Sequence, residues 1–226
     1  MVLQLKTLFI LSWYESNDRL RLRGVYQDYL NFYANKLFKE KTFLTGGSVS
    51  LRSIEDTIKI YQPNIIWISG HGGQLKSITE RDGFSEYLLT TSNEIILDTS
   101  ITKMLSKNLI NPTVIFVDAC HSQSIVDLNY SFKNDVWVVN ENSSTMVYSW
   151  STNVILIAAA ADNLESFETD SGGFFTLYIN DLLSMFKYLT IDLIIKNWKR
   201  SPKIQISSNT NSLNLINRYT IIFNLE

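Results

Sequence analysis

A histidine and the only cysteine of the chain each follow a run of apolar residues. His71 lies in Ser-Gly-His-Gly-Gly (69–73), directly after Ile-Ile-Trp-Ile (65–68), and Cys120 lies in Asp-Ala-Cys-His-Ser (118–122), directly after Val-Ile-Phe-Val (114–117). Continuous apolar runs of this length are typical of strands buried on both faces in a parallel sheet. Polar residues that follow such strands meet at the carboxyl edge of the sheet, where α/β proteins place their chemistry.

A thiol and an imidazole at neighbouring strand ends could act as a nucleophile and its base, because adjacent strands lie only about 4.8 Å apart. Glycines beside them let backbone amides approach a substrate, and we expect the amides of Gly72 and Cys120 to stabilise an oxyanion. By the alternation of side chains, His121 points away from Cys120 and orders the loop, while Asp118 lies on the same side as the cysteine. The alternative for Cys120 is that of most lone cysteines, a small buried apolar side chain.

The elements that would position these residues alternate between strand and helix. Apolar runs predict strands at 5–12, 41–45, 65–68, 114–118 and 153–161, a small strand at 135–140, and a last strand at 218–224 that could lie antiparallel at the edge. Helical spacing predicts helices at 24–39, 50–60, 99–108, 173–187 and 191–199, and residues 74–97 suggest a hairpin or excursion over the sheet edge. The pattern indicates an α/β fold with a mostly parallel sheet and helices on both faces.

Composition excludes several functional classes. The chain has 226 residues and a net charge of −2, so nothing favours binding to nucleic acid or to an anionic membrane. No apolar run reaches the roughly 20 residues that a membrane helix needs. A single cysteine cannot form an internal disulfide, which favours a cytoplasmic location. A transferase is disfavoured because the chain lacks a glycine-rich phosphate loop.

Five segments together resemble the metacaspase branch of the caspase-like cysteine peptidases, family C14 of clan CD. They are the two motifs above, Leu-Arg-Gly-Val-Tyr-Gln-Asp (22–28), Ala-Ala-Ala-Ala-Asp-Asn (158–163) and Ser-Gly-Gly-Phe-Phe-Thr (171–176). Asp118 stands where true caspases have glutamine, Val25 replaces a usual cysteine, and Gln123 stands where glycine is common. The resemblance implies one caspase-like domain over 1–226, with a large-subunit-like part at about 1–135, a small-subunit-like part at about 150–226 and no long linker. It also implies a three-layer fold around a six-stranded sheet. A compact chain of this kind resembles short forms of the family from microbes or large viruses.

The resemblance further implies the roles of individual residues. His71 and Cys120 form the catalytic dyad, and Asp28, Asp118 and Ser69 form an S1 pocket for Arg or Lys. Two carboxylates suit a guanidinium group, which agrees with that specificity. The chemistry itself needs no cofactor, but calcium would be held at Asp82, Asp98 and Asp127. The other interpretation of these aspartates is a solvated acidic loop in which Asp98 caps a helix.

Together these features predict a cysteine endopeptidase that cleaves protein or peptide substrates after Arg or Lys through a thioester acyl-enzyme. On the resemblance we expect a monomer. The competing hypothesis is a catalytically silent scaffold or decoy with the caspase fold, which binds partners and cuts nothing.

Overall fold

The computed structural model describes residues 5–78, 80–141, 143–186, 188–198, 204–210 and 221–224. Every helix in this part of the chain is too short or too polar to cross a lipid bilayer. The helices are α1 (Arg23–Ala34), α2 (Leu51–Tyr61), α3 (Asp98–Asn108), α4 (Phe174–Met185) and α5 (Ile191–Asn197), with a short 3-10 turn at Gly46–Ser48.

Among the described residues, the main sheet has eight strands rather than the predicted six. They are β1 (Lys6–Leu11), β2 (Glu40–Thr45), β3 (Ile65–Ser69), β7 (Thr113–Asp118), β8 (Tyr130–Lys133), β9 (Val136–Val139), β10 (Val154–Ala158) and β14 (Gln205–Ser208). Their order in the sheet is β2-β1-β3-β7-β10-β14-β8-β9. The first five in this order run parallel to one another, and β14 is antiparallel to β10.

Smaller sheets hold the remaining strands. The excursion predicted at 74–97 is an antiparallel sheet in the order β4-β5-β6, and it begins directly after His71. These additional strands are β4 (Gly72–Lys76), β5 (Phe84–Leu89), β6 (Ile95–Leu97), β11 (Glu168–Thr169), β12 (Gly172–Gly173), β13 (Tyr188–Thr190) and β15 (Ile221–Asn224).

One prediction about the sheet edge is wrong. The antiparallel place beside β10 is taken by β14, whereas β15, within the predicted strand at 218–224, pairs with β13 outside the main sheet; residues 218–220 lie outside the described part. β14 escaped prediction because Ile206 is its only apolar residue. The small strand predicted at 135–140 is β9, which forms a hairpin with β8 and extends the sheet beyond β14.

Helix α1 ends at Ala34, five residues before the predicted end at 39. The ammonium group of Lys41 donates hydrogen bonds to the carbonyls of Phe32, Tyr33 and Asn35 at 2.9, 2.7 and 2.8 Å. These carbonyls belong to the end of the helix, where no further turn would satisfy them. Lys41 therefore terminates the helix.

The core has two layers, one on each face of the sheet, which confirms the three-layer α/β fold. Phe9, Trp67 and Phe116 share one register row and pack under α1, α4 and α5. Their chain neighbours Ile66 and Ile115 point to the opposite face, under α2 and α3. Because successive strand residues alternate between faces, each apolar strand supplies both layers.

The register of β3 and β7 sets the position of the site. Ser69 pairs with Asp118 at the carboxyl ends of these parallel strands. His71 and Cys120 each follow two residues beyond this pair. The two loops consequently leave the sheet side by side at one edge.

Candidate active site

His71 and Cys120 line the same cavity, of about 130 Å³, at the carboxyl edge of the sheet. Ser69 and Asp118 also line it, so four of the predicted site residues lie together. The other lining residues are Leu22, Val25, Gly70, Ala119, Ser166, Phe167, Glu168 and Gly173.

The two motif loops approach each other too closely for a side chain at residue 72. A Cβ atom on Gly72 would lie 2.1 Å from the carbonyl oxygen of Cys120. The Ser69 hydroxyl also donates to the carbonyl of Asp118 at 3.3 Å, which joins the same loops. Glycine at position 72 is therefore a steric requirement for bringing the histidine loop against the cysteine loop.

The imidazole of His71 is oriented by a backbone carbonyl. Its Nε2 lies 2.7 Å from the carbonyl oxygen of Leu20, in the loop between β1 and α1. A carbonyl only accepts, so in the neutral ring Nε2 carries the proton and Nδ1 carries the lone pair; this tautomer is assigned from the hydrogen bond. Nδ1 is then the nitrogen that can act as a base.

The thiol of Cys120 is half-buried and lies 3.7 Å from the carbonyl oxygen of Ser166, to which it donates. Burial raises the pKa of this thiol, and the carboxylates of Glu165 and Asp118 raise it further. The free protein consequently holds a protonated thiol at neutral pH, and nucleophilic attack requires a base to remove its proton.

His121 does not face the cavity. Its backbone adopts a left-handed conformation (φ 51°), its N–H donates to the carbonyl of Leu164 at 3.0 Å, and its Nδ1 contacts the carbonyl of Asp162. These contacts tie the cysteine loop to the segment that follows β10. The structure thus gives His121 the loop-ordering position expected from the sequence.

Asp118 is almost fully buried, and both of its carboxylate oxygens accept hydrogen bonds. Oδ2 accepts from the backbone N–H and the hydroxyl of Thr176 at 3.0 and 2.8 Å, and Oδ1 accepts from the Ser166 hydroxyl at 2.6 Å. Burial raises the pKa of Asp118, and these bonds oppose the increase.

Asp28 lies behind the cavity wall and not on its surface. Its side chain is fully buried, Oδ2 accepts from the backbone N–H of Gly173 at 3.0 Å, and Oδ1 has no hydrogen-bond partner. Burial raises its pKa to about 8, with further increases from the charges of Asp118 and Glu168. A Cβ on Gly173 would lie 2.2 Å from Asp118 Oδ2 and 3.3 Å from Asp28 Oδ2, so both carboxylates face this glycine.

Two polar residues of the cavity wall, Ser166 and Glu168, had no prediction from the sequence, and neither had Phe167 between them. Burial raises the pKa of Glu168, and the backbone N–H groups of Val25, Gly24 and Arg23 oppose the increase. These groups lie at the start of α1, where the helix dipole favours negative charge. The only sequence signal for the wall residues is the acidic segment 165–170 that follows β10. Their place depends on how the chain between β10 and α4 returns to the sheet. With Glu168, the cavity wall carries two carboxylates, and its described residues include no lysine or arginine.

The structure divides the three aspartates predicted to hold calcium. Asp98 and Asp127 lie with Glu80 in a buried group whose nearest ligand atoms are within 4.8 Å of one another. Asp82 belongs instead to a second group, formed with Glu86 and Asp162. The difference arises because Glu80 lies in the loop between β4 and β5, and the sequence does not predict where this loop turns.

Asp98 and Asp127 differ in how their oxygens are used. Asp98 is the first residue of α3 and accepts from the N–H of Thr99, the hydroxyl of Ser85 and the N–H of Glu86. Asp127 Oδ1 accepts from the N–H of Ser144 at 2.8 Å, whereas Oδ2 has no hydrogen-bond partner. Burial and the neighbouring carboxylates raise the pKa of Asp127 to about 8.

The second acidic group touches the cysteine loop. The Ser124 hydroxyl donates to Glu86 Oε2 at 2.6 Å, and the Ser124 N–H donates to Asp162 Oδ1 at 2.9 Å. Because Ser124 lies four residues after the thiol, the charge of this group can influence the position of the loop.

Comparison with solved structures finds the same fold in other proteins. Protein GSU0716 from Geobacter sulfurreducens aligns with a TM-score of 0.66 and 15% identity over 98% of this chain and 100% of its own. Caspase-1 from Spodoptera frugiperda aligns with a TM-score of 0.55 and 10% identity over 98% of this chain and 90% of its own. At these identities the likeness concerns the fold alone.

Sequence comparison identifies the family. No curated protein sequence matches the chain significantly. The family model described as the caspase domain (Peptidase_C14) matches residues 60–201, which is more than half of the chain and includes both motifs. The chain therefore belongs to the caspase-domain family, whose members are generally cysteine peptidases.

Proposed function

We propose that this chain is a metacaspase-type cysteine endopeptidase that cleaves peptide bonds after Arg or Lys. The observation that carries the proposal is that one cavity joins the thiol of Cys120 and the imidazole of His71 to the carboxylates of Asp118 and Glu168. A nucleophile, a base and a negatively charged recognition surface are the parts that such a reaction requires.

In the proposed acylation step, His71 Nδ1 accepts the thiol proton of Cys120 as Sγ attacks the scissile carbonyl carbon. The amides of Gly72 and Cys120 stabilise the resulting oxyanion. The C–N bond then breaks, His71 gives its proton to the leaving amine, and a thioester remains on Cys120. Water, deprotonated by His71, then attacks the thioester carbonyl carbon, and the C–S bond breaks to release the carboxylic acid product. The proton held by His71 returns to Sγ and restores the thiol.

Recognition of the basic side chain rests on the carboxylates at and behind the cavity wall. A guanidinium group presents five N–H donors in a planar arrangement. Asp118 and Glu168 would bind it at the wall, with Ser69 at the edge of the pocket. Asp28 has an unpartnered oxygen and a pKa of about 8, so a nearby cation would favour its ionised form.

The group formed by Glu80, Asp98 and Asp127 fits calcium better than the predicted combination with Asp82. Its donors are carboxylate oxygens, which Ca²⁺ prefers, and Asp127 Oδ2 is a buried acceptor without a partner. A bound cation would offset the mutual repulsion of these carboxylates. The three residues would hold the ion, and the catalytic chemistry would not pass through it.

We further propose that the protein acts as a monomer on protein or peptide substrates in the cytoplasm. Caspases pair through the edge strand of their sheet. Among the described residues, the β8–β9 hairpin lies beyond the antiparallel strand β14, so β14 is not an edge strand and cannot pair in that way. The single cysteine is suited to a reducing compartment.

Hydrolysis of matched fluorogenic peptides tests the proposal. Peptides ending in Arg, Lys or Asp before the fluorophore are compared under reducing conditions, with and without calcium. Release from the Arg and Lys peptides, and its loss in Cys120→Ala, is the expected result. Turnover of none of them, or preference for Asp, would contradict it.

A catalytically silent scaffold is the second candidate, and two observations favour it. The cavity is small, at about 130 Å³, and Asp118 already has hydrogen bonds on both oxygens. A scaffold should leave Cys120 unlabelled by a covalent inhibitor with an Arg head group, whereas the peptidase should be labelled.

A further inference from the structure

Tyr14 has a backbone conformation that is unusual for an aromatic residue. Its φ is 54°, in the left-handed region, and only 2% of the residue is exposed. Bulky residues adopt this conformation only at an energetic cost, and they keep it only where surrounding contacts require it. The contacts that require it here involve the candidate base.

The side chain of Tyr14 contacts His71 in two ways. The ring centroids lie 4.8 Å apart with an interplanar angle of 41°, so the phenol ring packs against the imidazole. The Tyr14 hydroxyl also accepts a hydrogen bond from the backbone N–H of His71 at 3.2 Å. One side chain thus holds both the ring and the main chain of the histidine.

A closed set of hydrogen bonds completes this contact. The Tyr14 hydroxyl donates to the carbonyl of Leu89, and the N–H of Leu89 donates to the carbonyl of His71 at 3.0 Å. The polar backbone groups of His71 are thereby bonded to Tyr14 and to strand β5.

The protonation state of the hydroxyl also suits its position. Burial raises the pKa of Tyr14 to about 12, so the hydroxyl keeps its proton across the working pH range and can donate to Leu89.

We propose that Tyr14 is a positioning residue for His71. It fixes the imidazole so that Nε2 remains on the Leu20 carbonyl and Nδ1 is free to take the thiol proton of Cys120. This inference rests on the proposed function, since it assigns Tyr14 a role in the reactivity of the dyad. Tyr14 itself touches neither the nucleophile nor a substrate.

Alkylation of Cys120 by iodoacetamide tests the inference without peptidase activity. Sγ displaces iodide and the thiol proton is lost to His71, and because the chain has one cysteine the rate reports on this site alone. Tyr14→Phe keeps the ring and removes the hydroxyl. We expect Tyr14→Phe to slow alkylation at pH 7 about fivefold in the wild-type protein. In a protein that already carries His71→Ala, the same Tyr14→Phe change should slow alkylation by less than about twofold.

Tyr178→Phe is the matched control. The Tyr178 hydroxyl donates to the backbone carbonyl of Ile194 at 2.5 Å, as the Tyr14 hydroxyl does to Leu89, but it lies on α4 outside the cavity. The control should lose similar thermal stability and keep the wild-type alkylation rate.

Nitrogen NMR of the histidine rings gives a second readout, because the chain has only two histidines. The Nε2-protonated form of His71 should be distinct in the wild type and averaged with the other tautomer in Tyr14→Phe.

The outcomes separate the two proposals. The positioning role is refuted, while the dyad stands, if His71→Ala slows alkylation but Tyr14→Phe does not. It is also refuted if Tyr14→Phe slows alkylation equally in the wild-type and His71→Ala proteins. If His71→Ala leaves the rate unchanged, the imidazole does not act on the thiol, and both proposals fail.

Discussion

The buried carboxyl group of Asp28 should contribute to a fall in the stability of this protein as pH rises, and Asp28→Asn should remove that contribution. In the unfolded chain an aspartate has a pKa near 3.8, whereas burial raises the pKa of Asp28 in the folded protein to about 8. Between these values the unfolded state loses a proton that the folded state keeps. The contribution of Asp28 to the free energy of unfolding is therefore fully present below pH 3.8 and is lost progressively up to pH 8.

The size of the effect follows from one proton per molecule. A difference of one bound proton changes the free energy of unfolding by about 1.4 kcal/mol per pH unit, so the loss between pH 5 and pH 7 is about 3 kcal/mol. Asparagine has nearly the same shape as the protonated aspartic acid and does not titrate. The stability of Asp28→Asn relative to the wild type should therefore increase by about that amount over the same interval.

Urea unfolding followed by tryptophan fluorescence at pH 5, 6 and 7 measures this difference. Asp181→Asn is the matched control, since the Asp181 side chain is exposed and meets water in both the folded and the unfolded state. The control and the wild type should give parallel curves. Parallel curves for Asp28→Asn as well, within about 1 kcal/mol, would refute the claim that this carboxyl group is buried in its protonated form.

Three other predictions follow from the site. Cys120→Ala should lower peptide hydrolysis by about 1,000-fold or more, with less than about 1 kcal/mol change in stability measured by urea unfolding; residual turnover near wild type would contradict the assignment. Asp118→Asn should lower kcat/KM for an Arg peptide by about 100-fold, the cost of breaking a buried charge pair, and should change an Ala peptide far less; equal losses on both peptides would contradict a recognition role. Calcium should raise the melting temperature, more at pH 8.5 than at pH 6.5 because the pKa of Asp127 is about 8 and the bound ion requires its carboxylate. Asp127→Asn should abolish that increase, and an unchanged increase would place calcium elsewhere.

The sequence predicts the parallel part of the sheet well because each of its central strands is a continuous apolar run. The strand ends place Ser69 beside Asp118, and this register follows from pairing two such runs. Prediction of strands from the sequence fails for β14, because its two buried serines and single isoleucine form no apolar pattern. It also fails for the end of α1, which depends on a hydrogen-bonding lysine from the next strand.

Within the site, prediction succeeds for residues in the two motif loops and fails for residues that fold back onto them. Ser166 and Glu168 reach the cavity only because the chain after β10 returns across the cysteine loop. Glu80 joins Asp98 and Asp127 through the turn of a small sheet whose pairing the spacing does not specify. Long-range contacts of this kind leave no periodic signal in the sequence.

Covalent labelling of Cys120 tests the central claim most directly, because it requires the thiol, the imidazole and the acidic pocket to act together. Acyloxymethyl ketone peptides that differ only in an Arg or an Asp head group are incubated with the reduced protein, and the modified residue is identified by mass spectrometry. The Arg compound should modify Cys120 at least about tenfold faster than the Asp compound, and His71→Ala should remove the reaction. An unmodified Cys120, or equal rates for both compounds, would contradict the account.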